Sequence, residues 1–181
     1  MRITYNKNLI ILIVMMAFTM RSFAIDHDKQ SSQKLVNVLL ESIALMDVSY
    51  HWGGNTPASG LDCSGFVHYV FKKALGVNLP RTAASIAKVG KSVNLSNLQP
   101  GDLLFFNTDF NRNYLHISHI GIYLGDNQFI QAPHTGEQIQ ITQFMGYWRS
   151  HFVLAKRITS STLELNHTQH YKRDLHADHM V

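Results

Sequence analysis

A single cysteine, Cys63, stands among the 181 residues. With no second thiol, the chain has no internal disulfide to make and cannot build a cysteine-rich zinc site. Charge is scarce as well: 16 basic and 12 acidic side chains give a formal +4. Three of those basic residues (Arg2, Lys7 and Arg21) fall in the first 24 positions, which hold no acidic residue. Without that segment the balance is 13 against 12, or +1. No strongly basic domain remains, so a nucleic-acid partner is not expected. The apolar run near the N-terminus, Leu9 to Met20, falls short of the roughly 20 residues a helix needs to cross a bilayer core.

What that N-terminal stretch does have is the layout of a secretory signal peptide. A short positive region precedes the apolar run, and Arg21-Ser22-Phe23-Ala24 puts small residues three and one positions before a cut after Ala24. An uncleaved membrane anchor is the alternative. No cysteine lies near the cut, which excludes a lipid-modified export signal. Residues 25–31 read as a short polar lead, and residues 32–158 are long enough for one domain with a proper core. An exported protein that keeps one thiol uses it either for pairing with another molecule or for its reactivity. From Thr159 to the end the chain turns polar, with His167, His170, His176 and His179 in the final fifteen residues; this tail reads as solvated and disordered.

Periodicity sets out an α+β domain. Leu35, Val38, Leu39, Ile43 and Met46 recur at three- and four-residue steps and predict an amphipathic helix over 32–46. Residues 50–61, rich in glycine and broken by Pro57, read as a loop. A second helix follows over 63–75 with Phe66, Val67, Val70, Phe71 and Ala74 on one side, and Gly76 stops it. Thr82 is placed to cap a short helix through about Lys88. Beyond Pro100-Gly101 the pattern becomes strand-like at 102–107, 118–124, 128–132, 138–141 and 152–158, with Gly125-Asp126-Asn127 as a hairpin turn. Helices first and an antiparallel meander afterwards argue for segregated layers rather than βαβ units. No internal repeat and no second domain is visible.

The chemistry gathers around Cys63, where a glycine-rich loop enters a helix. Amide N–H groups and the helix dipole at such an N-terminus favour an anion, so the thiol pKa is expected to fall below the free value of about 8.5. Taken alone, Cys63 fits a small buried hydrophobe equally well. His119 opens the run Ser118 to Leu124, in which Ile120, Ile122 and Leu124 face one way and His119, Gly121 and Tyr123 the other. A hairpin centred on Gly125 pairs position 119 with 131. Gln131 would then accept the Nδ1–H of His119 through its amide oxygen, the orienting part of a nucleophile–base–orienter triad. A lone strand histidine is otherwise a satisfied structural side chain. His116 and His119 form only a weak metal clip, with no acidic partner at ligand spacing, so no metal or cofactor is called for. His51 and His68 read as a loop and an exposed helix residue, and His134 lies where it could line the mouth of the site.

Six blocks in order carry a family resemblance. They are Tyr50-x-Trp52-Gly53-Gly54, Leu61-Asp62-Cys63-Ser64-Gly65-Phe66-Val67, Leu79-Pro80-Arg81-Thr82, Pro100 to Phe106, His119 to Gly125, and Phe129-Ile130-x-Ala132-Pro133. Over about residues 32–157 the chain resembles the NlpC family of papain-like cell-wall peptidases. The resemblance implies a papain-like fold and hydrolysis of peptidoglycan stem peptides. The bond is commonly that between D-glutamate, through its γ-carboxyl, and a diamino acid, or the D-alanyl–diaminopimelate cross-link. It further implies Cys63 as nucleophile, His119 as base, and Tyr50 as a hydroxyl near the oxyanion. Asp62 matches an acidic position that meets a substrate amine, and Ser64 and Arg81 join it as oxyanion or substrate-binding candidates. The orienter position is most often histidine in that family; here it is Gln131, with His134 as a substitute. The segment 108–117 is read as shaping the substrate groove. The expected protein is an exported monomer without a stable membrane span after signal removal. Two other readings stay open: a non-catalytic wall-binding protein on the same fold, and an amidase-type relative acting on a non-wall substrate.

Overall fold

The computed structural model describes residues 29–109, 113 and 115–159. The signal segment, most of the polar lead, residues 110–112 and 114 of the expected groove loop, and the tail from 160 onward lie outside them. The chain falls into two compact units, 1–36 and 37–181. Of the first, the described part is 29–36, which is helical. That corrects the expected lead: helix α1 runs over 29–44, so residues 29–31 already belong to it.

In the second unit, α1 buries Val38 and Ser42, and Leu45 is buried in the turn that follows. Ile43 and Met46, expected on the packed face, are exposed instead. The true stripe follows steps of four and three from Val38, and a serine can join it because Ser42 Oγ donates to the Val38 carbonyl at 2.7 Å.

Helix α2, Cys63–Leu75, has the start and stop that the sequence foretold. Asp62 is its N-cap, accepting from the Gly65 N–H, and Gly76 closes it at φ 71° with its N–H on the Lys72 carbonyl. The φ is left-handed, which glycine adopts without Cβ strain. Lys72 and Lys73 complement the negative end of the helix dipole. Thr82 caps the short α3, Ala83–Ile86, as expected.

Within the stretch read as a loop, β1 (Asn55–Thr56) and β2 (Gly60–Leu61) form a small antiparallel pair. The main sheet holds β3 (Lys91–Val93), β4 (Leu103–Phe106), β5 (His119–Gly125), β6 (Gln128–Gln131), β7 (Gln140–Gln143) and β8 (Phe152–Arg157). Their order is β3-β8-β4-β5-β6-β7, and every pairing is antiparallel. The α+β class is as expected. β7 sits two residues further along than the pattern suggested. β3, mostly exposed at one end of the sheet order, and the four-residue α4, Tyr147–Ser150, gave no periodic signal.

Both faces of the sheet are covered, which is why all four residues of β4 are fully buried. Leu103, Phe105, Ile120, Ile122 and Ile130 join Phe66, Val67 and Val70 of α2 in one core cluster. Leu104, Phe106, Tyr123 and Phe129 join Phe144 and Ala155 in a second, with Trp148 of α4 against it. Arg157 fixes the strand order by gripping the buried Asp102 carboxylate through Nε at 2.7 Å and Nη2 at 2.8 Å.

Candidate active site

Asp62 and Arg81 organise the start of α2. Oδ1 of Asp62 accepts from the Gly65 N–H at 2.7 Å, Ser64 Oγ at 3.1 Å and Arg81 Nη1 at 2.9 Å. Oδ2 accepts from the Gly53 N–H at 3.0 Å and Arg81 Nη2 at 2.7 Å. Arg81 also donates to Ser64 Oγ and to the Gly54 carbonyl, both at 2.9 Å. Burial alone would raise the Asp62 pKa; the Arg81 and Gly65 hydrogen bonds outweigh it and hold the carboxyl below its usual range. Asp62, Ser64 and Arg81, expected as oxyanion or substrate contacts, hydrogen-bond to one another and to the Gly53, Gly54 and Gly65 backbone. Their geometry is that of a brace joining the glycine-rich loop, the helix start and the Leu79–Thr82 turn.

Gly65 is required by this closeness. A Cβ there would sit 2.1 Å from the Gly54 carbonyl oxygen. No such contact exists in real proteins, so a side chain would force the loop away from the helix.

Cys63, the first residue of α2, is half-buried. The backbone N–H groups of Ile120 and Ser64 lie close enough to favour its anion. Contrary to the expectation of a lowered pKa, burial and the adjacent Asp62 charge push the thiol up to about 11. The helix N-terminus does supply favourable N–H groups, but desolvation is the larger effect here. Tyr50 lies near enough for the Cys63 and Asp62 charges, behind burial, to raise its phenol to about 12. It is therefore an O–H donor at any ordinary pH.

His119, which precedes Ile120 on β5, is buried at 4 % exposure. Its Nε2 lies 2.6 Å from Gln131 Oε1. An amide oxygen only accepts, so Nε2 carries the proton and Nδ1 is left as the basic nitrogen. Gln131 does reach His119, but not by the expected route. The hairpin pairs Ile122 with Ile130 and Tyr123 with Phe129, then slips to pair Gly125 with Gln128. Position 131 therefore falls level with 121, and the bond to His119 is diagonal, through Nε2 rather than Nδ1. The cause is the turn: Asp126 and Asn127 hold φ of 48° and 55°, making a two-residue hairpin loop centred beyond Gly125.

Burial drives the His119 pKa down to about 4, with the Gln131 hydrogen bond opposing and His134 adding to the fall. The imidazole is neutral at pH 7. His134 does not hold His119; it is exposed, with Nδ1 3.0 Å from the Thr135 carbonyl oxygen.

Two neighbours had no signal in the sequence reading. Trp148 lies 5.3 Å from the His119 ring, centroid to centroid. Gln131 Nε2 donates to Thr142 Oγ1 at 2.9 Å. A cleft of about 610 Å³ opens beside Tyr50, lined also by Asp47, Ser49, Glu137 and Gln138. Among the described residues no group of three or more His, Cys, Asp or Glu gathers to hold a metal. Nor is any helix among them long and apolar enough to cross a membrane.

Comparison with known proteins finds relatives in both sequence and fold. Murein DD-endopeptidase MepH of Escherichia coli (strain K12) is 37% identical over 143 residues, 76% of this chain and 52% of its own length. Gamma-DL-glutamyl hydrolase of Bacillus subtilis (strain 168) is 40% identical over 129 residues, 71% of this chain and 30% of its own length. The chain thus spans about half the length, or less, of these curated relatives. The crystal structure of an NlpC/P60 family protein from Bacillus cereus ATCC 10987 matches with a TM-score of 0.62 at 27% identity, covering 68% of this chain and 39% of that one. The NlpC/P60 family model matches residues 47–157, which hold Tyr50, the Asp62–Arg81 brace, Cys63, His119 and Gln131. This chain belongs to the NlpC/P60 family.

Proposed function

We propose that the protein is a cysteine peptidase that hydrolyses a peptide bond in peptidoglycan stem peptides outside the cytoplasm. The observation that carries this reading is a half-buried thiol at a helix N-terminus, close enough to Ile120 for its backbone N–H to favour the anion, with Ile120 adjoining in sequence a neutral histidine oriented by Gln131. The relatives' names, a murein DD-endopeptidase and a glutamyl hydrolase, support the substrate class. They also leave two bonds, D-alanyl–diaminopimelate and γ-D-glutamyl–diamino acid.

In the reaction, the Cys63 proton passes to Nδ1 of His119 and the thiolate attacks the carbonyl carbon. Backbone N–H groups at the start of α2 and the Tyr50 hydroxyl stabilise the oxyanion. Collapse of the tetrahedral intermediate breaks the C–N bond, and the Nδ1 proton leaves on the amine. Water then gives a proton back to Nδ1 and attacks the thioester, releasing the carboxylate and restoring the thiol. Because a neutral thiol and a neutral imidazole form the resting pair, the ion pair is reached only on proton transfer. The cleft that Tyr50 lines offers the stem peptide a place beside that hydroxyl.

Digesting purified sacculi and weighing the released muropeptides tests this directly. Wild type is expected to release products whose masses identify the bond, and Cys63→Ala none. Full cleavage by Cys63→Ala would sink the proposal.

A further inference from the structure

The most exposed large apolar side chain among the described residues stands two positions from Tyr50. Trp52 is 81 % exposed, so folding leaves in water the side chain with the most apolar surface to hide. Its backbone is nonetheless fixed. The Gly54 N–H donates to the His51 carbonyl at 2.9 Å and closes a four-residue turn with Trp52 and Gly53 at its centre. Gly53 holds φ 75°, the left-handed value that the third position of a type II turn needs. The turn is tied down on both sides of the tryptophan. The His51 N–H donates to the Leu61 carbonyl at 3.2 Å, and the Gly53 N–H to Asp62 Oδ2 at 3.0 Å. The Gly54 carbonyl accepts from the Asp62 N–H at 3.2 Å and from Arg81 Nη2 at 2.9 Å. The brace beside Cys63 therefore also holds the turn that presents the indole to solvent. A rigid aromatic on a fixed turn gives up little conformational entropy when a ligand stacks on it.

The chemistry of the loop selects the ligand. Residues 51–61 contain no Asp, Glu, Lys or Arg. Besides the indole, the loop exposes the amide of Asn55 and the hydroxyls of Thr56 and Ser59. A stem peptide carries carboxylates and the amine of its diamino acid, groups that are matched by charge. Charge near Tyr50 lies elsewhere, on Asp47 and Glu137 of the cleft. The other half of the proposed substrate is a strand of N-acetylated amino sugars. Its uncharged rings offer C–H faces to an aromatic face, and hydroxyl and amide groups to hydroxyls and amides. Being two residues apart, the Tyr50 and Trp52 Cα atoms are separated by at most ~7 Å, a gap that two or three extended stem residues cover.

We propose that Trp52 is a saccharide-stacking platform, which takes an amino sugar of the glycan strand that carries the scissile stem peptide. This rests on the peptidase reading above, with the stem peptide at Cys63.

One arm of the test needs no turnover. In 15N-labelled wild type, the indole N–H signals of the 2 tryptophans are told apart with Trp52→Phe. The probe is a stem-free N-acetylglucosamine tetramer. Titration into the millimolar range is expected to move the Trp52 signal saturably and to leave that of Trp148 in place; an unmoved Trp52 signal overturns the proposal. The second arm compares a disaccharide-linked stem peptide with the same peptide freed of its sugar. On the linked substrate, Trp52→Ala should lower kcat/KM about tenfold through a raised KM, the worth of one stacking contact, and Trp52→Tyr should recover most of it. The loss should be confined to the linked substrate. Equal losses on both substrates would assign Trp52 to the stem peptide or to the fold of the loop, and no loss on either would deny it a part in binding; each overturns the proposal. If wild type cleaves neither substrate, the peptidase reading fails separately, while the titration still decides whether Trp52 binds sugar.

Discussion

Replacing Asp62 by alanine should cost more than replacing Arg81 by methionine, although the two form one ion pair. Asp62→Ala removes the N-cap of α2, worth about 1 kcal/mol. It strands the Gly53 N–H, another ~1 kcal/mol for a part-buried donor. The lost pairing with Arg81 adds only about 1 kcal/mol, since the guanidinium is 37 % exposed and recovers water. The total is about 3 kcal/mol. In Arg81→Met the carboxylate keeps the Gly53, Ser64 and Gly65 donors, so about 1.5 kcal/mol is expected. In thermal unfolding, at ~3 °C per kcal/mol for a domain of this size, the shifts are about 10 °C and 5 °C. A pH series adds a signature. The Asp62 pKa is depressed in the folded state, so its contribution is complete above the unfolded value of about 3.9. It is lost as pH falls through the folded value, and the wild-type and Asp62→Ala curves should converge in acid. An Asp62→Ala shift no larger than that of Arg81→Met, or a gap unchanged down to pH 2, would refute the account of the brace.

Three further outcomes follow from the same geometry. Gly65→Ala places a methyl 2.1 Å from the Gly54 carbonyl oxygen and should destabilise by about 3 kcal/mol, read from urea midpoints; a neutral result would mean the loop and helix are not locked together. His119 is buried neutral with a pKa near 4 against about 6.5 unfolded, so the unfolded chain binds the extra proton between these values and stability rises with pH across that window. The rise should be about 3 kcal/mol and should be absent in His119→Gln, measured by unfolding at pH 4 to 7. With its thiol near 11, Cys63 should react with iodoacetamide at pH 8 more than ~100-fold slower than free cysteine and gain about tenfold per pH unit; a plateau already at pH 6 would show a resting thiolate instead.

A brace of this kind has a consequence for the chemistry. Asp62 directly precedes Cys63, and its negative charge works against a thiolate there. The site accepts that opposition because the same carboxylate caps the helix whose first residue carries the sulfur. Arg81 neutralises part of the charge from the far side.

Local signals in the sequence determined a good deal of this molecule. Gly76, Thr82 and the apolar face of 63–75 marked their helices because caps and three-to-four-residue spacing are properties of the chain itself. Alternation at 119–124 likewise separated His119 from the isoleucines, and the glycine-rich stretch before Cys63 marked a loop-to-helix entry. Tertiary structure alone decided the rest. The left-handed Asp126 and Asn127 moved the hairpin centre, so the Gln131 bond became diagonal and fell on Nε2. Desolvation, which depends on what packs around a group, reversed the expected sign of the Cys63 shift. Arg81 is 19 residues from Asp62, and Thr142 is 11 from Gln131. No periodicity connects such pairs; only the folded chain brings a distant donor or acceptor within 3 Å and thereby fixes what each functional group can do.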